Sequence, residues 1–287
     1  KETVSGIREN PHYLDVSMFN HILSGRMNRM KNLKNIAMLI DADNTQLSKL
    51  ESVIQEISAN GRIVVKRAYG NWRKGSLKNW ENELKRLAIK AEQQFDYVAG
   101  KNATDMALVI DTLDLLHSGI YDAFVIVASD SDYTPLAIKL HESGVYVMGV
   151  GEKKTPEPFR NACDEFVYLE NLSKDTDTPE PQPAPVSSRK SRSSRRSQEN
   201  AEERRKAKEL KEIHKLLRIA WDKYQDDDRY VNVSSAGQYI KRAKPDFDAR
   251  TYGFLKLPDL IEAYPNKYAM KRYPGKGTVT IIAYKCI

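Results

Sequence analysis

Residues 35–45, NIAMLIDADNT, constrain the fold more than any other part of the chain. Five consecutive apolar residues, 36–40, end in the acidic pair Asp41 and Asp43, and Asn44 and Thr45 then lead into a helical pattern. This reads as a buried parallel strand running out into a carboxylate-bearing turn. In open α/β sheets the groups at the carboxyl ends of the strands face a shared crevice, so a charge placed there reaches solvent while its strand stays buried. Asp41 belongs at that edge. The plainer use of Asp41, Asp43 or Asn44 is to cap the next helix, where such residues are preferred.

From this strand onward, strand and helix alternate with short joints. Leu47, Leu50, Val53, Ile54 and Ile57 recur at helical spacing, Gly61 supplies a stop, and residues 62–69 read as a strand. One βαβ unit of this kind implies parallel strands and a right-handed crossover. A second amphipathic helix is expected over 77–91 and a short strand over 95–99. Thr104 can cap a helix to about His117, with Met106, Val109, Ile110, Leu113 and Leu116 on its buried face. Strands over 123–128, 145–150 and 165–169, with a helix over 133–142, complete a doubly wound, mostly parallel sheet ending near Leu172.

Residues 173–200 break the pattern. Four prolines, many serines and no apolar periodicity predict an extended, disordered linker. Its segment 189–196 holds five basic residues, Arg189, Lys190, Arg192, Arg195 and Arg196, and no acidic one. Such a run serves as a solvated tether or as a nonspecific phosphate contact. Beyond it, a helix over 201–224, shorter helices over 235–243 and 258–264, and a β-hairpin flanking PGKG make a winged-helix module of about 85 residues. Residues 1–34 form an extension with no legible chemistry.

Charge and cysteine usage bound the function class. A formal net charge of +7 and a pI near 9.1 point toward a polyanionic partner. Cys163 and Cys286 lie too far apart for a ligand motif, which suggests neither a disulfide framework nor a zinc site and favours a reducing compartment. No apolar run approaches the ~20 residues of a membrane helix, so a cytoplasmic protein is expected.

Three places put aspartate where a strand end meets a helix start: Asp41 with Asp43, Asp105 in KNATDMAL, and Asp130 with Asp132 in VIVASDSDYTPL. One acidic cap needs no explanation, but three converging on one crevice do, because neighbouring carboxylates repel unless protonated or neutralised by a cation. Oxygen donors without nitrogen or sulfur select a hard ion, Mg²⁺ or Mn²⁺. A site of this type polarises a phosphoryl oxygen and activates water for in-line attack.

These residues carry a resemblance. LIDADN, the turn at residues 104–108, and ASDSDY followed by an apolar helix and a strand ending in Gly, taken in that order, resemble the NYN domain, a PIN-like nuclease family that includes LabA-like bacterial proteins. The resemblance covers residues 35–172. It implies a PIN-like fold and metal-dependent ribonuclease (hydrolase) activity, with catalytic and metal-binding roles at Asp41, Asp105, Asp130 and Asp132 and supporting roles at Asp43 and Asn44. Residues 211–284, through GQYIKRAKPDFDARTYGFLKLPDLIEAYP, resemble the OST-HTH/LOTUS domain, which implies RNA or protein binding by a module spanning 201–287.

Other candidates come from residue type alone. Trp72, Arg73 and Lys74 could stack a base and clamp its phosphate, or the tryptophan could pack on its own domain. Lys101 and Asn102 precede Asp105 closely enough to face the substrate, or lie in an ordinary solvated loop, and Thr104 flanks Asp105 closely enough to support the site. Lys241, Arg242, Lys244, Arg250 and Lys256 are long, cationic and near helix ends, as phosphate contacts would be. RNA is the expected partner, with a protein partner through the LOTUS module and homodimerisation left open, and no membrane. Two alternatives stand beside the ribonuclease. One is a non-catalytic RNA-binding regulator. The other is a haloacid-dehalogenase-type phosphatase, because Asp41-Ala42-Asp43-Asn44-Thr45 satisfies DxDxT, with Asp41 as nucleophile and Asp43 as general acid. Against it, Asn44 replaces the common glycine, no cap insertion follows, and Asp105 goes unexplained.

Overall fold

A computed structural model of the chain describes residues 33–96, 102–172, 192–274 and 280–287. The extension 1–32, Lys101 and Arg189 lie outside the described residues. The first domain is built on β1 (Leu33–Asp41), β2 (Gly61–Gly70), β3 (Lys90–Gln93), β4 (Ala123–Val127), β5 (Tyr146–Gly151) and β6 (Glu165–Tyr168). Their order is β3-β2-β1-β4-β5-β6, and every pairing is parallel.

The apolar run of β1 explains its central place. Ile36, Met38 and Ile40 join the core on one face, together with Val125, Val127, Met148 and Val150. Ala37 and Leu39 join the core on the other, with Phe124 and Ile126. Two helices cover the first face, α1 (Leu50–Ser58) through Leu50, Val53 and Ile57, and α2 (Trp80–Arg86) through Trp80 and Leu84. Three cover the second: α3 (Ala103–His117), α4 (Thr134–Glu142) and α5 (Glu157–Asn161), through residues such as Leu108, Leu140 and Phe159. Each fully buried side chain of this kind contributes about 1.5–3 kcal/mol by removal from water. The chain therefore winds outward from β1 in both directions, and the switch between β1 and β4 opens a crevice at their carboxyl ends.

Several boundaries differ from expectation. An additional strand, β3, stands where the helix expected over 77–91 ends, that helix shrinks to α2 after a short 3-10 turn at Gly75–Leu77, and residues 97–99 of the strand expected over 95–99 lie outside the described residues. Ala88 takes a left-handed φ of 51° and turns the chain straight from helix into strand, so Ile89 packs in the core where a longer helix was expected. The helix α5 was not legible in the sequence. Its Pro-Glu-Pro start reads as a breaker, whereas proline is well placed in a first turn.

The second domain comprises α6 (Arg192–Tyr224), β7 (Val231–Asn232), α7 (Val233–Ala243), α8 (Leu257–Glu262), β8 (Tyr268–Pro274) and β9 (Thr280–Cys286). Its three strands, ordered β7-β9-β8 and antiparallel, form the wing. Residues 192–200, assigned by composition to the linker, are helical. No proline or glycine follows Pro185 before α6, and Arg, Gln and Glu are good helix formers. The core gathers Ile213, Leu217, Ala220, Ala236, Ile240, Leu260, Ile261 and Tyr284. This domain sits against the β6 edge of the sheet, where the Phe166 N–H donates to the Pro245 carbonyl at 3.0 Å.

Candidate active site at the sheet's acidic edge

Asp41 is the last residue of β1 and has no solvent exposure. Its carboxylate is fixed locally, accepting from the Asp43 backbone N–H at 3.1 Å and from Asn44 Nδ2 at 2.9 Å. Thr45 then donates to the Val127 carbonyl at 3.3 Å, tying the turn to the end of β4. Asp43 is exposed and accepts from Thr104 Oγ1 at 3.3 Å and Lys74 Nζ at 3.5 Å.

Asp105 enters from the first turn of α3. The Tyr133 hydroxyl donates to its Oδ1 at 2.8 Å and also faces Asp41. Asp130 ends the loop after β4 and caps the short turn Ser131–Tyr133, accepting from the Asp132 N–H at 3.1 Å. Asp132 is exposed and accepts from Asn102 Nδ2 at 2.8 Å. Three chain segments, the β1 turn, the start of α3 and the β4 turn, thus bring their aspartates to one crevice.

Electrostatics records the crowding. Burial pushes the Asp41 carboxyl up to about 6, with the charges of Asp105 and Asp43 adding to the rise and the Asn44 and Tyr133 hydrogen bonds opposing it. Asp105 is raised as well, by burial first and then by Asp130, Asp132 and Asp43, against the Tyr133 hydrogen bond. Among the described residues Lys74 is the cation in ion-pair contact with this group, and it divides itself between Asp43 and Asp96. The donors are all oxygens and short of positive charge, which is the chemistry a hard divalent ion satisfies. Among the described residues, however, no three carboxylate, imidazole or thiol groups are arranged to hold one metal ion directly. The carboxylates sense one another without forming a ready three-ligand cage.

One group beside the site is not among the sequence candidates. Tyr133 is fully buried, packed on Phe159, and a buried phenol needs a partner. Its position directly after the SDSD acids, at the start of an apolar helix, is the available signal. Asn102, a candidate beside Lys101, holds Asp132.

The expected nucleic-acid contacts fare unevenly. Trp72 is turned inward, 6.0 Å from the Trp80 ring, with its indole N–H donating to the Glu92 carbonyl at 3.1 Å. Of the two uses open to it, the half-buried indole with its donor satisfied packs on its own domain. Arg73 is exposed beside it. Lys241 pairs with Glu165 of the first domain, Lys244 lies 3.5 Å from Asp246 and 3.6 Å from Glu212, and Arg250 lies 2.7 Å from Asp248 and 3.3 Å from Glu56. All three are engaged with carboxylates, Lys244 at 19% side-chain exposure, Arg250 at 35% and Lys241 at 40%. Arg242 and Lys256 are exposed. Arg192, Arg195 and Arg196 lie on the first two turns of α6.

Residues 35–170 match the NYN domain family, and residues 205–280 match the OST-HTH/LOTUS domain family. Among solved structures, a protein of unknown function from Vibrio parahaemolyticus RIMD 2210633 is similar at 15% identity and a TM-score of 0.40, over 47% of this chain and 93% of that one. None of the curated proteins compared with the chain matches it.

Proposed function

Starting from a chain that carries an NYN domain followed by an OST-HTH/LOTUS domain, we propose that it is a Mg²⁺- or Mn²⁺-dependent ribonuclease that hydrolyses RNA phosphodiester bonds and recruits its substrate through the second domain. The two families together support an RNA-related nuclease in general terms. The finer reading is carried by one observation, the gathering of Asp41, Asp105, Asp130 and Asp132 around a crevice in which burial and mutual repulsion raise two of the carboxyls.

Asp41, Asp105, Asp130 and Asp132 are the residues that would hold the ion. When bound, such an ion polarises a phosphoryl oxygen and lowers the cost of deprotonating a water at neutral pH. The chain's own groups do the positioning. Asn44 and the Asp43 N–H fix both oxygens of Asp41, Tyr133 orients Asp105, and Asn102 steadies Asp132. Lys74, 40% exposed, can exchange its loose contacts with Asp43 and Asp96 for a phosphate oxygen, since a partly exposed ion pair is worth at most about 1 kcal/mol.

A phosphatase using Asp41 as nucleophile is disfavoured, because it leaves without a role Asp105, which Tyr133 holds within reach of Asp41's charge. The deciding experiment incubates the purified protein with end-labelled single-stranded RNA in Mn²⁺ or EDTA, beside a generic phosphomonoester. Cleavage that requires Mn²⁺ is expected. Release of phosphate alone would favour the phosphatase, and RNA binding without turnover would favour the non-catalytic regulator.

A further inference from the structure

We propose that residues 241–251 of the second domain form a protein-docking face whose partner is the first domain of the same chain, and that RNA meets that domain on other faces; the RNA clause rests on the ribonuclease reading. The signs of the contacts alternate on both sides. Lys241 pairs with Glu165, Asp246 with Arg160, and Arg250 with Glu56, while Asn171 Nδ2 donates to Asp248 at 3.2 Å and to Thr251 at 2.8 Å. A polyphosphate presents a single sign and would leave Asp246 and Asp248 facing like charge. A folded domain with the matching alternation is what such a face selects, because juxtaposed like charges penalise other partners.

Depth points the same way. Asp246 is 6% exposed, and besides Arg160 it accepts from the Tyr168 hydroxyl at 2.6 Å. A carboxylate so far from water requires such partners, and the first domain supplies both of these. The backbone takes part too, since the Pro245 carbonyl occupies the Phe166 N–H on β6, an edge strand that would otherwise stand open to pairing. Contacts from the two ends of the face, Lys241 and Arg250, reach Glu165 on β6 and Glu56 on α1, so the grip spans two separate elements.

The test uses the full chain in three forms: Lys241→Ala with Arg250→Ala, Lys241→Glu with Arg250→Glu, and the latter combined with Glu165→Lys and Glu56→Lys. Small-angle scattering and thermal melting report docking, and anisotropy of a labelled single-stranded RNA in EDTA across a salt series reports phosphate contacts. The alanine pair should enlarge the radius of gyration while leaving the slope of log K against log[salt] unchanged. Charge reversal should enlarge it further and the four-residue swap should restore it. A slope that falls by about 0.7 for each lost cation would overturn the inference, because that is the mark of a single-strand phosphate contact. Wild-type size and melting in both the alanine and the reversal forms would overturn it as well. If the wild-type chain bound no RNA, the recruitment reading would fail, whereas scattering and the swap would still decide the docking.

Discussion

At the scale of single residues, the account turns on Asp41 and Tyr133. An aspartate ordinarily titrates near 3.8, and burial brings Asp41 to about 6. Between those values the folded chain keeps a proton that the unfolded chain has released, so stability from this group is full below about pH 4 and is lost as pH rises through about 6. Two pH units correspond to up to about 3 kcal/mol. Asp41→Asn should therefore flatten the stability change between pH 4 and 6 in EDTA and raise the melting temperature at pH 7, while RNA cleavage disappears. Calorimetry across that window checks it, and a variant that keeps the wild-type pH dependence would remove Asp41 as its source. Tyr133→Phe keeps the ring in its core position and deletes only the hydroxyl that orients Asp105. Partners that orient metal ligands typically account for 10–100-fold in affinity, so Mn²⁺ binding measured by titration calorimetry should weaken by about tenfold with little change in melting. Equal Mn²⁺ affinity in the two proteins would reduce Tyr133 to a packing residue.

Among the elements, legibility followed the strength of the hydrophobic pattern. β1 and β4 were readable because Ile36–Ile40 and Ala123–Val127 leave one solution each, whereas α3 was placed correctly with its buried face turned wrongly: Met106 and Ile110 are exposed, Val109, Leu113 and Leu116 only partly buried, and Leu108, Thr112 and Leu115 face the core. β3 was not legible because its KAEQ sequence is polar and mostly exposed on an edge, with pairing to β2 rather than burial holding it in place. The acids at the strand ends were legible from sequence position alone. Tyr133 was not, since only its three-dimensional approach to Asp105 and Asp41 reveals it. Likewise the inward turn of Trp72 depends on Trp80, which comes from the following helix. Trp72→Ala should cost about 2 kcal/mol, below the range for a fully buried tryptophan because this one is half-buried, and should leave RNA affinity unchanged. Loss of RNA binding at unchanged stability would restore the stacking role.

Over the whole molecule, two domains with separate cores meet through charged and hydrogen-bonded contacts rather than a shared apolar layer. Arg160 and Asp246 are central to this junction, at 20% and 6% exposure. Removing one member of a buried pair strands the other, so Arg160→Ala should destabilise the chain by roughly 3 kcal/mol, and Asp246→Asn in the same chain should recover part of the loss. Additive losses in denaturant titrations would mean that the two do not act as a pair. No described helix is long and apolar enough to cross a membrane. At the carboxyl ends of the central strands β1 and β4, the aspartates of three segments gather in what we propose is a cation-dependent phosphodiester site. Crystals grown with Mn²⁺ and measured at its absorption edge test this most directly. The account predicts an anomalous peak in the crevice between Asp41 and Asp105 that vanishes in Asp41→Asn; a crevice without such a peak at millimolar Mn²⁺, or a peak untouched by that substitution, would contradict it.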